Sequence, residues 1–314
     1  PWYVDDDGKT DFDNIQDAVD AASDGDMIFV YPGTYTSTAD EVVNMLGKAV
    51  TLRSLYPNNP DVVAKTIIDG EGTRRGIICQ NGEGSNTSIE GFTIIRGFTN
   101  GTYPANCGGG MSNINSSSPT LTNCTIKNNT AHGWGGGMFN DNSSPTLTNC
   151  TFTGNTAVYD GGGMHNWHSS SPTLENCTFE NNTASYGGGM WNNFVAFPTL
   201  TDCTFTDNAA TNYGGGMYNT TSSSPTLTDT TVCGNTPDQI YGEFTDGGGN
   251  TVADECPIDC PADVNQDGVV DVTDILALVG AWGSSGPLGD INDDGTVNVV
   301  DLIMMLKSWG TCPQ

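Results

Sequence analysis

Four cysteines, Cys124, Cys150, Cys177 and Cys203, recur at intervals of 26, 27 and 26 residues, and the residues around them recur with them. Aligned on itself, the middle of the chain yields one unit: GGGM-x-N, a polar stretch, then SSPTLTNCTF-x-x-N-T-A. Met111, Met138, Met164, Met190 and Met217 share one column, and Pro119, Pro145, Pro172, Pro198 and Pro225 a second. Asn129, Asn155, Asn182, Asn208 and Asn235 form a third. A period of this length means a solenoid, in which each repeat buries its apolar face only against its neighbours. Local period decides which solenoid. Each unit carries short alternating segments such as Thr146-Leu147-Thr148 and Cys150-Thr151-Phe152, bounded by Gly, Asn and Ser; these read as strands and turns. No unit has an amphipathic run long enough for a helix, which excludes leucine-rich, ankyrin and helical repeats. Three short strands and three turns fill about 26 residues, so the spacing predicts an all-β parallel β-helix.

Alternation along each strand assigns the columns. The Met column, the Leu column (Leu121, Leu147, Leu174, Leu200, Leu227) and the column Ile126, Phe152, Phe179, Phe205, Val232 face inward. Coils stacked about 4.8 Å apart turn each column into a ladder of like side chains. The Cys column lies two residues before the Phe column and so is also inward, reading as a stack of buried thiols. The Asn column reads as a buried amide ladder, and the GGG column as a turn needing positive φ or close backbone approach. Outward, the position after each Met holds Ser112, Phe139, His165, Trp191 and Tyr218, while Trp134, Tyr159, Tyr186 and Tyr213 stand just ahead of GGG. Two aromatic stripes are therefore expected on adjacent parts of the rod. They stack on themselves, or they form a contact face for glycan rings or another protein.

Upstream, Phe12, Ile15, Val19 and Ala22 have helical spacing and precede Met27-Ile28-Phe29-Val30 and Pro32-Gly33-Thr34-Tyr35. The stretch DFDNIQDAVDAASDGDMIFVYPGTY resembles the opening of pectate-lyase-like right-handed β-helix proteins. The resemblance implies a short helix over residues 12–22 capping the first coil, with coils such as Val50–Leu52, Thr66–Ile68 and Ser88–Ile95 following. On that basis residues 1–256 form a right-handed parallel β-helix of about nine coils, about 40 Å long.

Composition breaks at Cys256-Pro257-Ile258-Asp259-Cys260-Pro261, and residues 257–314 form a second domain. It holds two segments with oxygen side chains at loop positions 1, 3, 5, 9 and 12 and Gly at 6. The first is Asp263, Asn265, Asp267, Asp271 and Asp274 with the Val269 carbonyl; the second is Asp290, Asn292, Asp294, Asn298 and Asp301 with the Thr296 carbonyl. Hard oxygen ligands at this spacing wrap Ca²⁺ in an EF-hand-type loop, so two Ca²⁺ ions are expected. Each loop runs into an apolar helix, Val272–Trp282 or Val299–Trp309. Loop, exit helix and duplication resemble a type I dockerin, which implies docking onto a protein partner. Positions 10 and 11, which read the partner in such modules, are Val272-Thr273 and Val299-Val300, more apolar than the small hydroxylated residues often found there. Cys260 and Cys312 bracket the module and are expected to form a clasp, implying an oxidising, extracellular home. Cys233 stands one place past the inward Val232, so it should face outward, where it could pair with Cys256.

Charge excludes other roles. Nine Lys and Arg against 37 Asp and Glu, a net of −28, would repel nucleic acid. No apolar run approaches the roughly 18–20 residues of a membrane span. With neither an initiating Met nor a signal-peptide pattern, Pro1 reads as a processed or trimmed end. Asp141, Asp160, Glu175, Glu180, Asp202 and Asp207 look scattered, and no lyase or hydrolase motif is recognisable. The sequence therefore points first to a secreted or cell-surface, non-catalytic structural or adhesive rod. Its calcium module would bind a protein partner or a neighbouring copy, assembling a homopolymeric filament. A polysaccharide-degrading enzyme or glycan-binding protein carried by a dockerin is the alternative.

Overall fold

The computed structural model describes residues 1–256, 262–265, 269–284, 289–292 and 294–311. They divide into two compact units, Pro1–Glu255 and Cys256–Gln314.

The first unit is a parallel β-helix. Its strands stack coil on coil into sheets of ten, nine and eight parallel strands, with a further sheet of five at one corner. Register is residue for residue: Leu121 lies opposite Leu147, Ile126 opposite Phe152, and Met111 opposite Met138. Identical neighbours in register let one rotamer repeat along the rod. Phe152, Phe179 and Phe205 stack with centroids 4.7 and 4.5 Å apart and ring planes within 2°. The Met, Leu, Phe and Cys columns together fill one continuous core. Each fully buried large side chain contributes roughly 1.5–3 kcal/mol by leaving water. Cys124, Cys150, Cys177 and Cys203 are free and buried, as their column predicts.

Amide ladders satisfy the polar part of that interior. Asn129 Nδ2 donates to Asn155 Oδ1 at 3.0 Å, and the pattern repeats through Asn182, Asn208 and Asn235. The second Nδ2 proton goes to a backbone carbonyl of the preceding coil, such as Ile126 for Asn155. Gln239 Oε1 ends the series by accepting from Asn235. A second buried ladder runs through the Asn of GGGM-x-N: Asn113, Asn140, Asn166, Asn192 and Asn219. The glycine triplet is steric in origin. Gly135 sits at φ +67°, and a Cβ on Gly136 or Gly137 would meet the carbonyl oxygen of Thr156 or Gly163 at 2.5 Å. Asn123, Asn149, Asn176, Asp202 and Asp229, just before the next strand, all have positive φ, which their short polar side chains tolerate.

A helix, Ile15–Ala21, capped by the Asn14 side chain, lays Ile15, Ala18 and Val19 against the first coils, where capping was expected. At the other end, Ile240 and Phe244 pack against the core half-buried. Cys233, one place past the inward Val232, is 1% exposed but lies outside the core that holds Val232. Cys233 and Cys256 are each disulfide-bonded. The Cys260–Cys312 clasp lies outside the described residues.

The second unit has helices Val272–Gly280 and Val299–Lys307 and a short antiparallel pair, Val269–Val270 with Gly310–Thr311. Val264, Val270, Leu278, Val297 and Met305 form its core. Both helices begin with a capping box, Asp271 with Asp274 and Asn298 with Asp301.

Candidate functional site

The outward column of the eight-stranded sheet runs, in register, Ser112, Phe139, His165, Trp191, Tyr218 and Tyr241. Its two halves differ. Phe139 and His165, expected on an open face, are buried at 0% and 1% exposure. The covering rings come from outside the column. Tyr103 sits in the 100–107 loop, and its ring lies 6.2 Å from Trp134, 6.3 Å from Phe139 and 5.4 Å from Trp167. Trp167, at the end of the strand Met164–Trp167, closes over Phe139 at 6.3 Å and stacks on His168 at 4.2 Å. Phe139 and His165 are therefore the floor of an aromatic cluster whose roof is Tyr103, Trp134 and Trp167.

Farther along, the face is open. Trp191 and Tyr218 are half-buried, and Tyr213 and Tyr241 are 50% and 41% exposed. Tyr218 and Tyr241 stack at 4.8 Å and 8°, Tyr213 meets Tyr241 at 4.8 Å, and Tyr186 meets Tyr218 at 5.4 Å. The rings support one another, and the group as a whole lies at the surface. Tyr159, half exposed, lies 5.8 Å from Trp134, and His165 joins the cluster to the platform at Trp191, 4.2 Å away.

The cluster gathers two carboxylates that look unrelated in sequence. Asp160 accepts from Trp134 Nε1 at 3.0 Å. Burial pushes its carboxyl up to about 6, the indole bond pulling the other way. Asp141 accepts from His168 Nδ1 at 2.8 Å, from Asn142 Nδ2 at 3.0 Å and from the Tyr103 hydroxyl. Burial, then the Asp141 carboxylate, raises the Tyr103 phenol, which stays protonated. Burial pushes His165 down to about 3, so the imidazole is neutral. Its Nε2 and the Trp167 Nε1 are buried with no hydrogen-bond partner. Each such orphan costs roughly 1–3 kcal/mol, and buried polar atoms are normally paired by protein or by something bound.

Sequence reasoning missed Tyr103, Trp167, His168, Tyr241 and the joining of Asp141 to Asp160. Tyr241 was findable: Ile240-Tyr241 continues the Met-x column with Ile in the place of Met. Tyr103 lies in a stretch without the repeat, and nothing local marks its destination.

In the second unit, the loop 290–301 is wound on its own oxygens. Asp290 Oδ2 accepts from Gly295 N at 2.8 Å, and Asn292 and Asp294 accept from Asp294 N and Thr296 N. Gly295 has φ +85°, the reversal anticipated at loop position 6. Asp301 is buried and takes the amides of Ile291, Asn292 and Asn298; Asp274 likewise takes those of Asn265 and Asp271. Among the described residues no group of three or more His, Cys, Asp or Glu is gathered as a metal site. Several donors here are Asn or backbone carbonyls, and the carboxylates face loop amides. Asp267 of the first loop lies outside the described residues.

Stacked short parallel strands, in-register ladders and a helical N-terminal cap define a β-helical solenoid. A family model for the right handed beta helix region matches residues 22–179 and 73–236, and the chain belongs to that family. Among solved structures it is similar to pectate lyase Pel9A, at 16% identity and TM-score 0.50, with 77% of this chain and 64% of that one covered. It also aligns with pectin methylesterases from Aspergillus niger and carrot, each at 12% identity and TM-score 0.41. Those alignments cover 81% of this chain and 89% and 88% of the respective enzymes. Likeness at such identity speaks of fold alone. No curated protein sequence matches the chain.

Proposed function

We propose that the protein is a polysaccharide-binding β-helix that takes a glycan chain along its aromatic face and is tethered through a calcium-loaded, dockerin-like C-terminal module. The observation that carries this reading is the aromatic cluster itself, which ties Asp141 and Asp160 to an open platform of Trp191, Tyr213, Tyr218 and Tyr241. Aromatic rings pack against the C–H faces of sugar rings, while carboxylates and phenols exchange hydrogen bonds with sugar hydroxyls. We prefer this reading to the structural filament that the sequence suggested first, because the cluster supplies a built surface for flat rings.

The loops suit Ca²⁺ by donor chemistry: both carry hard oxygens at the EF-hand spacing, and the second has a positive-φ glycine, Gly295, at its turn. Asp263, Asn265, Asp267, Asp271, Asp274 and the Val269 carbonyl would hold one ion. Asp290, Asn292, Asp294, Asn298, Asp301 and the Thr296 carbonyl would hold the other. Bound calcium would supply charge neutralisation and fix the start of each helix. Val272, Leu276 and Val279 on one helix and Val299, Ile303 and Leu306 on the other are exposed, an apolar surface suited to a protein partner. Disulfide-bonded Cys233 and Cys256 suit a secreted or cell-surface protein.

A second reading, glycoside cleavage, draws on Asp160, whose carboxyl is protonated up to about pH 6 and so could serve as a general acid. Affinity electrophoresis of the full chain through gels cast with soluble neutral and acidic polysaccharides separates the readings. Retardation lost in a Trp191→Ala, Tyr218→Ala variant supports binding, and migration unchanged in every gel overturns it. New reducing ends formed by the wild type and not by Asp160→Asn would establish cleavage.

A further inference from the structure

One turn breaks the repeat that the rest of the rod keeps. After the buried Asn of GGGM-x-N, other units run Asn115-Ser116-Ser117-Ser118, His168-Ser169-Ser170-Ser171 and Thr221-Ser222-Ser223-Ser224 before Pro. The fourth unit runs Phe194-Val195-Ala196-Phe197 instead. The backbone there is left-handed: Asn115 and Ser116 have φ +58° and +64°, His168 and Ser169 +46° and +60°. Short polar side chains tolerate it, whereas Phe194 and Val195, at +51° and +68°, are a bulky and a β-branched residue where both are rare. A serine ladder is interrupted as well. Ser117 N donates to Ser143 Oγ and Ser143 N to Ser170 Oγ, each at 3.1 Å; Ala196 holds the next place and has no side-chain oxygen to accept. Phe194, Val195 and Phe197 are nevertheless 52%, 50% and 47% exposed. Backbone strain combined with exposed apolar surface marks a contact surface.

The neighbours of the turn show what it joins. The Phe194 ring lies 5.4 Å from His168 and 6.1 Å from Trp167. Trp167 lies 6.1 Å from His165, which is 4.2 Å from Trp191. The turn is therefore continuous, ring to ring, with the aromatic platform. Charge then narrows the ligand. No lysine or arginine occurs from Asn128 to Cys256, a stretch that holds Asp141, Asp160, Glu175 and Asp202 among other acids. On the strands of the aromatic sheet, Arg75 is the lone such cation. It is 7% exposed and bonded to the carbonyls of Ala105, Cys107 and Gly108. A uronate or sulfate on this face would find no cation to pair with and would meet the Asp141 and Asp160 carboxylates; an uncharged sugar meets neither penalty.

We infer that the ligand of the aromatic face is an uncharged glycan, held at the edge of that face by Phe194 and Val195 beside Trp167 and His168. The inference rests on the glycan-binding reading and narrows it to one substrate class.

The test is affinity electrophoresis of the full chain at about 0.15 M salt, where screening beyond about 8 Å leaves charges near the face to decide the comparison. The neutral gels hold hydroxyethylcellulose, galactomannan or mixed-linkage β-glucan; the acidic gels hold carboxymethylcellulose, polygalacturonate or alginate. At least one neutral polymer should retard the protein, at least about fivefold more strongly than any acidic one. The double variant Phe194→Asn, Val195→Ser installs residue types that other units carry in this turn. It should keep or raise the melting temperature while weakening retardation by the neutral polymer at least about threefold. No retardation in any gel overturns glycan binding and this inference together. Retardation by an acidic polymer as strong as by every neutral one leaves glycan binding standing and overturns the uncharged class. Retardation unchanged in the double variant, or a lowered melting temperature, overturns the role of the turn.

Discussion

Phe139 and Tyr241 occupy one column of one sheet, four coils apart, with an aromatic ring each; one is fully buried and the other 41% exposed. Strand position decides which way a side chain points, and only what lies above it decides whether water reaches it. Over Phe139 the 100–107 loop and Trp167 form a lid. Among the described residues of the first unit no such loop lies over Tyr241, since only four residues separate Asn235 from Ile240. One periodic column thus supplies both a core and a surface.

The widest split should appear in stability. Phe139→Ala is expected to cost about 3–5 kcal/mol by urea denaturation, the range for a large ring removed from a packed interior. An equal and small cost at Phe139 and Tyr241 would mean the lid does not close. Next in size is the ladder beneath the column. Asn166→Ala leaves the Asn140 amide without its acceptor and the Asn192 carbonyl oxygen without its donor, and should lose about 2–4 kcal/mol. The third effect depends on pH. The Asp160 carboxyl lies above its ordinary value in the folded state, so its contribution is full below about pH 4 and is lost as pH rises through about 6. Asp160→Asn should flatten that part of the wild-type stability curve by on the order of 2 kcal/mol; parallel curves would place the carboxyl in water. Smallest in stability is Tyr241→Ala, within about 1 kcal/mol. The same variant should still weaken polysaccharide retardation severalfold, and normal migration would remove Tyr241 from the platform.

Most of the fold was legible in advance. The period names a solenoid, the alternation within each unit names strands, and the Met, Leu, Phe, Cys and Asn columns turn inward as their spacing requires. The second amide ladder was equally visible in GGGM-x-N, although only one ladder was anticipated. The site was less legible. Nine aromatic or neighbouring positions followed from the repeat, but Tyr103 and the pairing of Asp141 with His168 depend on segments that depart from it. Asp160, one residue before its glycine triplet, looks like a turn carboxylate until Trp134 of the previous coil is placed above it.

The sequence by itself determined the coil and the inward ladders, because each is a local pattern repeated at a set interval. Tertiary structure alone decided which half of the aromatic column is covered and which carboxylates share a cluster. Those outcomes depend on how one non-repeating loop packs across several coils, and burial is a property of neighbours in space that no local period encodes.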